Sequence, residues 1–250
     1  GLTDSQKATL NDHASNPLDT VTISALTTSD VAGLKEHHLS QLTDAQVQSI
    51  STTVLQAFNA EQLGGVLDGL SVSQIGALTS TQVVGLDDTD FDGLDDTQVA
   101  AFTTSVISEL DEDQIDSVID ALTTTQIAVL SGDQVTALGI DSLTGLSDAQ
   151  VHALSEDALG GLDSDQLGLI VGSLSAAQVA DVIDELEGDQ IGELSAAQLD
   201  NVDAATLDLL SEDQIAGFGD EVISGFTPDQ VGAILDGLTE DQLAAVTSAQ

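Results

Sequence analysis

Apolar residues open a new unit of this chain every eight positions, and a run of polar positions follows each one. From Leu2 the spacing runs through Leu10, Leu18, Leu26, Leu34, Leu42, Ile50 and Phe58. A clear instance is Leu238-Thr-Glu-Asp-Gln-Leu-Ala-Ala-Val246. The unit reads as a helix start. Thr239 is an N-cap and Gln242, three residues on, completes a capping box, each side chain satisfying a backbone N–H of the other. Leu238 before the cap and Leu243 after it form a hydrophobic staple, and Val246 both closes this unit and opens the next. Of the 21 Gln in the chain, 18 fall at this capping-box position, which makes the phase of the repeat unambiguous.

From Phe58 onward some units are twelve residues long: 58–70, 110–122, 162–174, 174–186 and 226–238. One long unit plus five short ones gives a 52-residue super-repeat. Its blocks start at Ile50, Phe102, Leu154 and Phe218, each with a unit that lacks the Gln, and the block from Leu154 carries one extra long unit. Residues 1–49 are looser and read as a terminal capping block, while 50–250 form the regular region. The super-repeat predicts one superhelical turn or one stacked layer per block.

One continuous helix is excluded, because eight residues advance about 800° and the apolar face would drift by about 80° per unit. A strand is excluded by the run of polar positions and by the strand-poor Gln, Asp and Ala. Short capped helices remain. They are unstable alone and must stack on their neighbours. The expected fold is therefore all-α, a solenoid or superhelix of short capped helices in 8- and 12-residue units. The small pairs before each closing residue (Gly64-Gly65, Gly76-Ala77, Ala100-Ala101, Ala244-Ala245) let those helices approach closely. Pro228 takes the first helical position after Thr227, where proline is favoured.

Composition narrows the function. The core has no Cys, Met, Trp or Tyr and five Phe, so it is built from Leu, Val, Ile and Ala. There are 44 acidic residues against Lys7 and Lys35, a net charge of −42. Phosphate binding needs a basic patch, so nucleic acid is not a partner, and an anionic membrane surface would repel the chain. No apolar run is long enough to span a bilayer. The absence of Cys removes disulfides and thiolate chemistry. No signal peptide is visible at Gly1, which reads as a mature chain, an excised segment or export without an N-terminal signal. Many carboxylates occupy first helical turns, where they complement the helix dipole. The near absence of Lys from the helix ends is not explained that way, and points to a surface kept anionic for salt or divalent cations.

One acidic stretch is sharper. Asp88, Asp90, Asp92, Gly93 and Asp96 follow a D-x-D-x-D-G-x-x-D spacing, in which alternate carboxylates can converge on one calcium ion around a glycine turn. It resembles the calcium motifs of thrombospondin type 3-like repeats and, less closely, EF-hand loops. Val99 stands where an EF-hand has its bidentate Glu, and Phe91 falls on the apolar phase of the repeat. The competing reading is a solvated acidic unit of the solenoid. His37-His38 beside Glu36, and His13 beside Asp12, lack a spaced third ligand and read as surface residues. No catalytic constellation stands out, so the chain does not read as an enzyme.

The Leu-Thr/Ser-x-x-Gln-Val/Ile-x-x octads, clearest from Leu42 to Gln250, resemble the repeats of very large acidic secreted or surface-anchored bacterial proteins. That resemblance implies an adhesin-like structural segment at the cell exterior, acting as a rigid spacer or filament-forming module, with calcium as the one cofactor to consider. Its partners would be copies of itself or neighbouring repeats of a longer chain. Stopping mid-repeat at Gln250, the sequence reads as continuing or docking end to end with another copy. The alternative is a soluble binding module that takes a peptide, a glycan or calcium in its superhelical groove or on its acidic surface.

Overall fold

The computed structural model describes residues 1–6, 8 and 20–250 of the chain. His13 and Pro17 lie outside the described residues, as does the side chain of His38. The described residues contain helices and turns and no strand. Contacts divide the chain into two compact units, 1–129 and 130–250.

Most of the described octads fold as a helix of about one turn that begins at the predicted cap; the octad opened by Leu194 forms turns instead. In the helix Thr124–Ile127, Thr123 has an extended backbone (φ −70°, ψ 158°) and its side chain accepts from the Gln126 N–H. The Gln126 Oε1 accepts in return from the Thr123 N–H, at 2.9 Å, and from its hydroxyl, also at 2.9 Å. The same box forms at Ser71/Gln74, Asp95/Gln98, Asp111/Gln114, Ser147/Gln150, Ser175/Gln178 and Thr239/Gln242. All five of the long units share a second design. An α-helix of between one and two turns runs into a short 3-10 helix: Leu67–Gly69, Ile119–Ala121, Val171–Ser173, Ile183–Glu185 and Leu235–Gly237. Where a block opens without Gln, the third helical position holds Val54, Val106, Ala158 or Val222, all buried.

Helices pack on helices a fixed number of units further along the chain. In the first compact unit Thr28–Val31 lies on Thr52–Leu55, and Val72–Ile75 on Asp96–Val99. In the second, Gly132–Thr136 lies on Glu156–Leu159, and Gly188–Ile191 on Glu212–Gly217. Each of these partners starts three octads after the other. Elsewhere the offset is one octad plus one long unit, as for Thr104–Ile107 on Thr124–Ile127 and Asp220–Gly225 on Glu240–Ala245. The reason is visible at 58–70. Its α-helix, Ala60–Gly64, covers Glu36–Leu39, and its 3-10 helix, Leu67–Gly69, covers the next helix, Asp44–Val47. One long unit thus covers two octads. The packing period is three octads, or one octad plus one long unit. The expectation that a whole super-repeat makes one layer is corrected: it is the period of the sequence pattern, not of the packing.

What joins one such coil to the next is the other end of the glutamine amide. The Gln126 Nε2 donates to the carbonyls of Val99 and Phe102, both at 2.9 Å. Gln74 reaches Val47 and Ile50 (3.0 and 2.8 Å), Gln178 reaches Val151 and Leu154 (2.7 and 3.3 Å), and Gln242 reaches Ile215 and Phe218 (both 2.9 Å). Where the offset is three octads the reach is longer, as from Gln62 to Val31 and Leu34 (2.9 and 2.7 Å). Each such glutamine caps its own helix with its oxygen and holds the previous coil with its nitrogen. Gln114 and Gln126 are among the most buried polar side chains described.

The small residues do what their position suggests. A Cβ added to Gly65 would stand 3.0 Å from the Glu36 carbonyl oxygen, and one on Gly76 3.3 Å from that of Ala101. At Gly161 it would meet the Cα of Gly132 at 2.5 Å, closer than any side chain could be accommodated without a shift. Between coils the core is aliphatic: Ile75, Ile115, Ile127, Val135 and Val179 are fully enclosed.

A capping box accepts Glu as readily as Gln, but only Gln carries the donor for the neighbouring coil. Gln126→Glu is therefore expected to destabilise the chain by about 2–4 kcal/mol, since it turns a carboxylate toward two buried carbonyls. Gln126→Ala should cost a similar amount. Urea denaturation followed by circular dichroism measures both, and a Glu variant as stable as the parent would show that the inter-coil bond is idle.

Candidate functional site

The acidic stretch folds as one more unit of the repeat. Asp88–Asp90 is a 3-10 helix entered from Asp87, whose backbone is extended (φ −79°, ψ 153°). The Asp90 carboxylate accepts from the Asp87 N–H at 3.0 Å. Asp90 has taken the place that Gln holds in other units, and it faces back toward the preceding coil: a Cβ on Gly64 would lie 2.7 Å from its Oδ1. Asp88, Asp92 and Asp96 are exposed, and Asp96 opens the next helix, Asp96–Val99. Asp95 caps that helix, accepting from the Gln98 N–H at 2.9 Å and from the Thr97 hydroxyl at 2.5 Å. Phe91 is buried, with its ring 6.2 Å from that of Phe102. Among the described residues no group of three or more His, Asp or Glu side chains is arranged to hold a metal ion. The structure therefore does not bring Asp88, Asp90, Asp92 and Asp96 together.

The electrostatics of these carboxylates follow from their partners. Burial raises the Asp90 pKa above its ordinary value; the Asp87 N–H opposes this, and the charges of Asp87 and Asp88 add to it. Asp95 is held below its ordinary value, first by the Thr97 hydroxyl and then by the Gln98 N–H. Asp203 is lowered by the Thr206 N–H it caps, at 2.8 Å. The histidines gain no ligand geometry. His37 and His152 are exposed, His152 directly after the helix Asp148–Val151.

A second acidic feature was not singled out by spacing. Within residues 130–250 a cleft of about 680 Å³ is lined by Asp133, Glu156, Asp157, Asp181 and Glu185, with Gly132, Gly160 and Gly161 in its wall. The glycine contact made by the stacking of Gly132–Thr136 on Glu156–Leu159 is part of this wall. There the Gly132 N–H donates to Asp157 Oδ2 at 3.2 Å, and the Thr136 hydroxyl donates to the Gly161 carbonyl. The cleft is open, and its carboxylates come from units that are distant in sequence and adjacent only through the stacking. Only knowledge of the packing offset could have brought them together.

The double-ended glutamine is the other feature that spacing did not disclose. A signal for it exists in the composition. In a chain with 44 acidic residues, a position open to either Glu or Gln is filled by Gln 18 times and never by Glu. No family model matches the chain, and no curated protein matches it. Among the described residues no helix is long and apolar enough to cross a membrane.

Asp90→Asn tests the assignment of Asp90 to the Gln position. A carboxyl whose folded pKa is raised costs stability while ionised, and the cost fades as the pH falls through that raised value toward the ordinary one near 4. The Asn variant is expected to be more stable than the parent at pH 7 by about half a kcal/mol or less, since solvent screens a half-buried group. The difference should shrink as the pH approaches 4. Asp95 and Asp203 carry the opposite sign, their contribution being present above the ordinary carboxyl value and lost as the pH falls from there through their lowered ones. Thermal melts of parent and variant at several pH values read the effect, and a gap that widens on acidification would overturn it.

Proposed function

We propose that the chain is a structural segment of an extracellular bacterial protein, an α-solenoid that serves as a rigid spacer or filament-forming module. The observation that carries the reading is the glutamine bond from each coil to the one before it, repeated at Gln62, Gln74, Gln98, Gln126, Gln178, Gln198 and Gln242. A repeat that commits the glutamines of so many units to the preceding coil is built for length and stiffness, not for one singular pocket. The lack of Cys and the anionic surface suit the cell exterior, and the resemblance of the octads to those of large surface proteins points the same way. No catalytic constellation competes with this reading.

Small-angle scattering of the isolated chain at low salt tests it. A compact globule of this length has a radius of gyration of roughly 18 Å. The spacer reading expects a value well above that, and one at the globular figure would retire it.

The acidic cleft favours a second reading, a binding module for calcium or a basic peptide. If it holds, calorimetric titration with calcium gives saturable heat that Asp133→Asn and Asp157→Asn remove. Absence of heat at millimolar calcium would exclude calcium, both here and at Asp88–Asp96.

A further inference from the structure

The octad opened by Leu194 carries a helix start and does not use it. Its opening, Leu194-Ser-Ala-Ala-Gln198, repeats Leu174-Ser-Ala-Ala-Gln178 residue for residue. The earlier copy winds into the helix Ala176–Val182, and its Val179 N–H donates to the Ser175 carbonyl at 2.9 Å. In the later copy residues 196–201 are turns, and the Leu199 N–H donates to the Ala196 carbonyl instead, at 3.2 Å. Asp200 does not forbid the helix, because Asp208 holds the same place in the next octad and Ala204–Leu207 is helical. The preceding coil is not at fault either. Gln198 donates to the carbonyls of Val171 and Leu174 at 2.9 and 3.1 Å.

The difference lies on the side of the following coil. A crevice of about 120 Å³ separates Ala196, Leu199 and Asp200 from Val222, Gly225 and Phe226. Gly225 and Ala196 hold the same places in their octads as Gly85 and Ala60 hold in theirs. A Cβ on Gly85 would lie 2.9 Å from the Ala60 Cβ, too close for a side chain. One on Gly225 would lie 3.9 Å from the Ala196 Cβ, an ordinary contact. The amide ladder thins at the same place. Gln62 donates to Val31 and Leu34, and Gln114 to Val83 and Leu86. The same offsets from Gln230 lead to Leu199 and Val202, yet Gln230 donates to Val202 alone, at 2.7 Å. Among the described residues the Leu199 carbonyl takes only the Val202 N–H.

The unwound helix, the loose glycine contact and the missing amide bond have one cause. A helix this short forms only against its neighbour, and here the neighbour stands off by the width of the crevice. We propose that residues 195–201 are a two-state strap, which winds into a helix as the following coil closes over it and unwinds as that coil lifts. The repeat itself specifies the closed state. The Leu199 N–H takes the Ser195 carbonyl, Gln230 gains the Leu199 carbonyl, and Gly225 comes down on Ala196 as Gly85 does on Ala60. Each gain depends on the others, so the strap switches as a unit and does not flex gradually. The device is independent of the spacer reading, since it lies within one compact unit.

Amide ¹⁵N relaxation dispersion on the whole chain reads the exchange, which falls in the microsecond-to-millisecond range. Dispersion is expected at Leu199, Asn201 and Gly225, with flat profiles at Val179 and Ala180. Gly225→Ala fits the open strap and blocks the closed one. It should flatten the profiles at Leu199 and Asn201 and melt no lower than the parent. Gly85→Ala makes the same change where the coils already touch, so it should lower the melting temperature and leave the dispersion at Leu199 in place. Flat profiles in the parent, dispersion equal at Val179, or exchange that survives Gly225→Ala would each overturn the proposal. So would a Gly225→Ala variant that melts as far below the parent as Gly85→Ala does.

Discussion

A single primary amide holds this structure together at two length scales. A helix of one turn leaves most of its N–H and C=O groups unpaired, and packing such helices in a core would bury those groups at a cost of about 1–3 kcal/mol each. The glutamine at the third helical position meets that demand from both sides. Its oxygen takes the N–H at the start of its own helix, and its nitrogen takes two carbonyls at the end of a helix 24 to 31 residues earlier, as Gln62 and Gln126 show. Local order and coil-to-coil packing are thus the same interaction. A helix too short to persist alone is stabilised only where its neighbour is in place.

Geometry around that amide explains the rest of the unit. The bond requires backbones to approach closely, so the coils meet at small residues, in the limit at Gly132 against Gly161. The aliphatic residue after the glutamine fills the space that the close approach leaves. Long units fit the same frame because a helix turn continued into a 3-10 turn covers two octads with one and a half octads of chain. That exchange keeps the carbonyls in register, with the reach of the glutamine dropping from 28 to 24 residues at the second acceptor.

The helix class and the cap positions were legible in the sequence, since each depends on neighbours within one unit. The packing period was not. Nothing in the super-repeat says that a long unit spans two octads, which is a fact about how Ala60–Gly64 and Leu67–Gly69 lie on the preceding coil. The local fold of the acidic stretch was hard to read for a related reason. Asp88, Asp90, Asp92 and Asp96 were read as a loop motif, but Phe91 and Asp90 obey the repeat, one going to the core and the other to the box. The acidic cleft was illegible because its carboxylates meet only through those packing offsets.

The preference for Gln over Glu separates two electrostatic roles in a chain so acidic. A carboxylate at the buried position would face carbonyl oxygens and add its charge to the interior, a cost no surface screening removes. With Asp30 and Asp90 as exceptions at the box position, a neutral ladder leaves most of the charge at exposed positions such as Glu112, Asp113, Glu240 and Asp241, where salt can act on it. Ionic strength should then govern how coils or copies approach one another from outside, while the internal bonds that define the register stay indifferent to it. Because the box glutamines donate toward earlier residues, as Gln126 does in the first compact unit and Gln242 in the second, the packing within each unit has a direction.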